Sequence, residues 1–229
     1  MIRAGGVFVT GTDTGVGKTV ATCALVRGLR ARGIDAGAMK PIETGVGDAG
    51  PMDALALRAA AGGGDALDDV CPQRFALPAA PTAAARAEGR AVDLAAVDAA
   101  YRRLRMRHAW LAVEGAGGLL VPAADGVTMA DLAARLGLPL LVVCRAALGT
   151  LNHTRLSLEA ARRRGLEVIG VVISHADGPL SDADAVNLEE LRRDADAPWL
   201  GEIPPFADGE PDPENALDLD AILALVGGG

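Results

Sequence analysis

Gly11-Thr12-Asp13-Thr14-Gly15-Val16-Gly17-Lys18-Thr19 is the stretch on which the fold turns. The apolar run Val7 to Thr10 leads into it and reads as a buried strand, and Lys18 to Arg32 leads out of it as a helix. A glycine-rich loop between strand and helix makes a cradle for phosphate, because glycines let successive backbone N–H groups face one anion and the helix N-terminus adds positive potential. Lys18 has the reach for β- and γ-phosphate oxygens and Thr19 offers a hydroxyl to Mg²⁺. The loop predicts a nucleoside triphosphate site built from Gly15, Val16, Gly17, Lys18, Thr19 and Val20. The strict pattern has glycine five residues before Gly17; that position is Thr12, so the loop is a variant.

Outward from the loop, short apolar runs recur at Ala36 to Met39, Trp110 to Val113, Leu138 to Val143, Val168 to Ile173 and Trp199 to Ile203. Helix-forming segments separate the later ones, at Thr128 to Leu136, Asn152 to Arg164 and Asp182 to Asp194. Continuous apolar runs suit strands buried on both faces. The expectation is therefore one α/β domain over residues 1–229, with a mainly parallel sheet, helices on both faces and right-handed crossovers. Gly62 to Gly64 and Pro78 to Pro81 mark loops in the long connection after the second strand, and Gly227 to Gly229 reads as a frayed tail.

Composition removes several function classes. At 229 residues the chain has room for one sizeable core, and 50% hydrophobic with 23% charged residues excludes wholesale disorder. A net charge of −8 and an aromatic content of 3% fit neither a phosphate-backbone track nor a base-stacking platform, so nucleic acid is not expected as a partner. The longest apolar run, Leu136 to Cys144, contains Pro139 and ends at Arg145, well short of the ~18 residues that read as a membrane span. No secretory signal opens the sequence, and a cytosolic location is expected. Cys23, Cys71 and Cys144 have no metal or disulfide spacing and read as core thiols; His108, His153 and His175 lack the pairing of a helix-borne metal site.

Of twenty-two basic residues only Lys18 and Lys40 are lysine. An ammonium is a compact point charge and a guanidinium a broad fork, so a lysine kept in an arginine-biased chain points to a place where only the compact group fits. Lys40 closes the second strand, where ligands of open α/β sheets gather, and reads as a second phosphate clamp with Thr44 near the same cleft. Glu114 closes the third strand of this reading, where such sheets place a carboxylate toward Mg²⁺, and Gly115, Ala116 and Gly117 after it offer backbone amides to an anion. Asp53 opens a helix; it reads equally as an ordinary acid at a helix N-terminus or as a third oxygen ligand beside Thr19 and Glu114.

Six motifs occur in order: Thr10 to Thr19 (TGTDTGVGKT), Lys40 to Gly45 (KPIETG), Asp53 to Leu57 (DALAL), Val113 to Gly118 (VEGAGG), Gly149 to His153 (GTLNH) and Gly201 to Pro204 (GEIP). Together they cover nearly the whole chain, and the series resembles the dethiobiotin synthetase family, whose fold is P-loop NTPase-like. The resemblance implies ATP-dependent ring closure of 7,8-diaminononanoate with CO₂ to dethiobiotin, ADP and phosphate in biotin synthesis, through a carbamate and a carbamic-phosphoric anhydride. It implies Lys18 and Lys40 as catalytic cations, Thr19, Asp53 and Glu114 as Mg²⁺ ligands, and Thr44 on the substrate. It also implies a homodimer in which Gly149, Thr150, Leu151 and Asn152 of one subunit receive the substrate carboxylate at the other's site. Ser174-His175 stands where the family usually has Asn-Asp to read adenine. Adenine contacts would then fall to Ser174, His175, Pro204, Pro205, Phe206 and Glu214, and other nucleoside triphosphates are expected to serve as well.

The rival reading is a switch ATPase of the partition type, which shares the variant loop and acts through partner proteins. Its signature lysine would stand where this chain has Asp13, which argues against it. A cobyrinate-type amidotransferase ligase would need a glutaminase domain with a nucleophilic cysteine, and no such domain follows.

Overall fold

The computed structural model describes residues 5–176, 178, 180–205 and 216–227. Six strands make the central sheet: β1 (Gly5–Gly11), β2 (Ala36–Met39), β5 (Trp110–Gly118), β8 (Leu140–Arg145), β9 (Val168–Ser174) and β10 (Trp199–Ile203). Their order across the sheet is β10-β9-β8-β1-β5-β2, and every neighbouring pair is parallel. The chain leaves β1 for the far edge at β2, returns to insert β5, and then crosses to β8 on the other flank of β1. The strand order therefore reverses at β1, and the crevice at its carboxyl end is where a parallel sheet of this kind binds ligand.

Alternate residues of each strand serve opposite faces, which is why the strands read as continuous apolar runs. Val7, Val9, Ala38, Ala112, Leu141 and Val143 pack with α1 (Lys18–Ala31), α2 (Met52–Ala60) and α9 (Leu219–Gly227). Phe8, Met39, Leu111, Val113 and Leu140 face α5 (Leu94–Arg107) and α6 (Met129–Leu136) on the other side. Val142, Cys144, Val171 and Ile173 complete that side against α7 (Thr150–Arg163) and α8 (Asp182–Asp194). All three cysteines are buried, and burial pushes the thiols of Cys71 and Cys144 up to about 12, so they are core groups as expected.

The connection after β2 holds more structure than its loop signals suggested. A three-residue strand β3 (Ile42–Thr44) pairs in parallel with β4 (Gln73–Phe75), and α2, α3 (Leu67–Val70), α4 (Pro81–Ala87) and α5 lie along the same stretch. The Pro78 to Pro81 segment ends by starting a helix: Pro81 occupies the first turn of α4, where its missing N–H costs nothing. A hairpin of β6 (Pro122–Ala124) and β7 (Val127–Thr128) follows β5. The tail expected to fray from Gly227 is helical through that residue; 228 and 229 lie outside the described residues.

Candidate active site

The phosphate loop sits at the reversal point. Gly17 is the N-cap of α1 in the left-handed region (φ 87°), and a Cβ there would lie 2.2 Å from Ser174 Oγ, so both conformation and space require glycine. The loop is braced within itself and against β8. Lys18 Nζ donates to the Asp13 carbonyl at 2.9 Å, Arg145 Nη2 donates to the Thr14 carbonyl at 3.2 Å, and the Thr12 amide donates to the Val143 carbonyl at 3.0 Å.

Beside the loop the structure gathers the two lysines and two carboxylates. Lys40, immediately after β2, places Nζ 2.5 Å from Glu114 Oε1 and 2.7 Å from Asp53 Oδ2. Thr19 donates its hydroxyl to the same Glu114 oxygen at 2.9 Å. Glu114 is wholly buried, and its other oxygen, Oε2, has no hydrogen-bond partner among the described residues. Burial lowers the Lys18 ammonium to about 8, with the charge of Lys40 adding to the effect. Burial works against the Lys40 charge too, but Glu114 and Asp53 outweigh it and hold this ammonium well above the ordinary lysine range. Asp53 is held below the usual carboxylate range: burial raises it, and the charge and hydrogen bond of Lys40 more than offset that.

A cavity of about 750 Å³ opens over this cluster. Of the residues singled out in the sequence, Gly15, Gly17, Lys18, Thr19, Val20, Lys40, Thr44, Asp53, Glu114, Ala116 and Gly117 line it. Val16 lies in the core beneath, and Gly115 backs onto Phe8, whose ring leaves no room for a Cβ. Ser174 is buried under Gly17 with its hydroxyl unpartnered among the described residues; His175 lies outside the lining and pairs Nε2 with Glu202 Oε1 at 2.6 Å. Pro204 and Pro205 are exposed beyond β10, while Phe206 and Glu214 lie outside the described residues. Gly149 is the N-cap of α7, and Gly149, Thr150, Leu151 and Asn152 do not line the cavity within one chain. Thr14, Ile42, Glu43, Pro78 to Pro81, Val121 and Ala176 complete the wall and had no assigned site role in the sequence reading.

The donor set suits a hard cation. Two carboxylates and a hydroxyl converge, one buried carboxylate oxygen is unpartnered, and the remaining positions would fall to phosphate and water, as Mg²⁺ favours.

The profile of the AAA domain family matches residues 5–212. The ATP-dependent dethiobiotin synthetase of Anaeromyxobacter dehalogenans is 52% identical over 221 residues, covering 96% of this chain and 97% of that one. The chain belongs to the dethiobiotin synthetase family. The family's enzyme from Thermodesulfovibrio yellowstonii is 37% identical over 237 residues, again across 96% of this chain and 99% of its own. Among solved structures, FtsY from Thermotoga maritima superposes with a TM-score of 0.55 at 15% identity, and chloroplast FtsY from Physcomitrella patens with 0.51 at 15%. The present chain spans 67% and 65% of their lengths, and at that identity the likeness extends to the fold alone. The family's P-loop architecture is thus the one observed here, a parallel sheet with its phosphate loop at the strand reversal.

Proposed function

We infer that the chain is an ATP-dependent dethiobiotin synthetase, a ligase that closes the ureido ring of dethiobiotin from 7,8-diaminononanoate, CO₂ and ATP. The observation that carries the chemistry is the convergence of Lys18, Lys40, Thr19, Asp53 and Glu114 on one cavity at the carboxyl end of β1. Phosphoryl transfer needs positioning and charge neutralisation more than a protein nucleophile. The cavity offers two ammonium groups and the amides of a glycine loop, and both thiols with raised pKa lie in the core.

The substrate supplies the nucleophile. An oxygen of its carbamate attacks the γ-phosphorus, the bond to the bridging oxygen breaks and ADP leaves. The neighbouring amine then attacks the carbonyl carbon, the C–O bond to phosphate breaks, a proton is lost and the ring closes. Lys18, in the loop, stabilises charge on the β- and γ-phosphate oxygens. Lys40, close to the cavity wall formed by Thr44, stabilises the carbamate and the oxygens of the transferring group. Thr19, Asp53 and Glu114 would hold Mg²⁺, which draws charge from the phosphate oxygens.

The working assembly is a homodimer. Gly149 to Asn152 do not line the cavity of their own chain; Leu120 and Leu156, 50% and 55% exposed, line a second groove of about 420 Å³ beside His153, and Leu148, just before Gly149, is exposed as well. A second subunit covering that apolar face would bring the α7 N-terminus to a neighbouring site, where its amides suit a carboxylate. The cytosol is the compartment in which buried core thiols and ATP occur together. Ser174 lacks the paired donor and acceptor of an amide, so GTP or CTP should support product formation within about tenfold of ATP.

Mixing experiments test the reading. ADP should appear only when diamine and bicarbonate are both present, together with dethiobiotin in equal amount. Slow ADP release that ignores both would favour the switch ATPase.

A further inference from the structure

Glu43 lies in β3 between Lys40 and the helix that bears Asp53, and no step above uses it. Its carboxylate is buried, with Oε1 accepting from the Asp53 amide at 3.0 Å and Oε2 from the Ala54 amide at 2.9 Å. These are the second and third residues of α2, whose amides have no partner inside the helix. A serine, threonine or aspartate at the N-cap ordinarily satisfies them, but the N-cap here is Pro51, which has no side-chain acceptor. The cap is supplied from another strand, ten and eleven residues upstream, and the β4 ladder holds that strand in place.

Burial fixes Lys40 and Glu114, whose side chains are 5% and 0% exposed, whereas the Asp53 side chain is 43% exposed. Its direction therefore depends on the first turn of α2. A carboxylate on the wall of a cavity built for anions opposes their binding, and desolvation adds to the cost of ionising it there. Such a group is explained by what its two acceptor oxygens hold.

We propose that Glu43 is a positioning residue of the ligase: by clamping the amides of Asp53 and Ala54 it fixes where Asp53 presents its carboxylate to Lys40 and to the metal. The inference rests on the reading of Asp53 as a metal ligand given above, and acts through Asp53 rather than through contact with substrate.

The test uses Mn²⁺ as the probe, titrated into the full chain with a non-hydrolysable ATP analogue, in the unaltered protein and in Glu43→Ala, Glu43→Gln and Asp53→Ala. Glu43→Ala should weaken Mn²⁺ binding about tenfold and Glu43→Gln, which keeps one acceptor oxygen, by about threefold, as outer-shell partners of ligands do. Affinity for the analogue without metal should stay within about twofold, a separation that general loosening of the fold would not give. Unchanged Mn²⁺ affinity in both Glu43 variants, with Asp53→Ala weakened, would overturn the proposal; so would equal loss of metal and metal-free nucleotide binding. If Glu43→Ala does not fold, Glu43→Gln carries the same comparison. Unchanged Mn²⁺ affinity in Asp53→Ala would instead remove Asp53 from the metal site and the inference with it. Amide exchange at residues 53 and 54, faster in the Glu43 variants, would still report whether the cap exists.

Discussion

Lys18 and Lys40 share one side-chain chemistry and are driven in opposite directions. Lys18, buried and facing another ammonium, is lowered to about 8, while Lys40 is clamped by two carboxylates. A triphosphate beside Lys18 restores its charge, so the group's pKa is lower in the free protein than in the complex. Nucleotide affinity should accordingly be level below about pH 8 and fall as pH rises through it, with proton uptake on binding above that point. Calorimetry near pH 8.5 in buffers of different ionisation enthalpy measures that uptake; none at all would contradict the assignment. For Lys40, replacement by arginine should abolish turnover while nucleotide still binds, because a planar fork cannot sit where the ammonium touches Glu114 and Asp53 and still leave room for the acceptor. Full activity in Lys40→Arg would take the residue out of the mechanism. Both lysines were legible in the sequence because they are so scarce. Glu43 was not, because its partners are backbone amides on another element; nor was the pairing of His175 with Glu202, which needs β9 and β10 side by side.

The strands of the central sheet were legible because each is buried on both faces and leaves an unbroken apolar run. The three-residue strands β3 and β4 and the β6–β7 hairpin are too short to leave any period, and the proline that opens α4 and Gly89 just beyond its end read as loop signals. One helix start was marked by its chemistry. Thr128 and Asp131 form a reciprocal capping box at α6, with the Asp131 amide donating to Thr128 Oγ1 at 3.3 Å and the Thr128 amide donating to Asp131 Oδ2 at 2.7 Å. The helix so started packs Met129 and Leu132 with Phe8 and Val113, under the strand that carries Glu114. Thr128→Ala should lower unfolding free energy by about 1 kcal/mol in urea titration, with kcat little changed because Thr128 itself does not line the cavity. A loss near zero would mean that the cap contributes nothing to the fold.

At the scale of the molecule, the sequence located the phosphate loop, the second lysine and the acid after β5, and the strand order explains why they meet. β2 and β5 lie successively on one side of β1, so Lys40 and Glu114 emerge beside Lys18 at the same edge of the sheet. Gly149 to Asn152, proposed to receive the substrate carboxylate across a dimer, do not line the cavity of their own chain. Sedimentation at micromolar concentration should therefore give twice the 23.2 kDa of the chain, and Leu156→Asp, which charges an exposed leucine of the apolar groove, should shift the protein toward monomer. An unaltered chain that sediments as a monomer would contradict the shared site. The proposed reaction joins a carbamate oxygen to the γ-phosphorus within the cavity. A single turnover with ¹⁸O-labelled bicarbonate, faster than its exchange with water, tests it most directly by mass analysis of the phosphate released. One labelled oxygen in each phosphate is the predicted result, and phosphate free of label would contradict it.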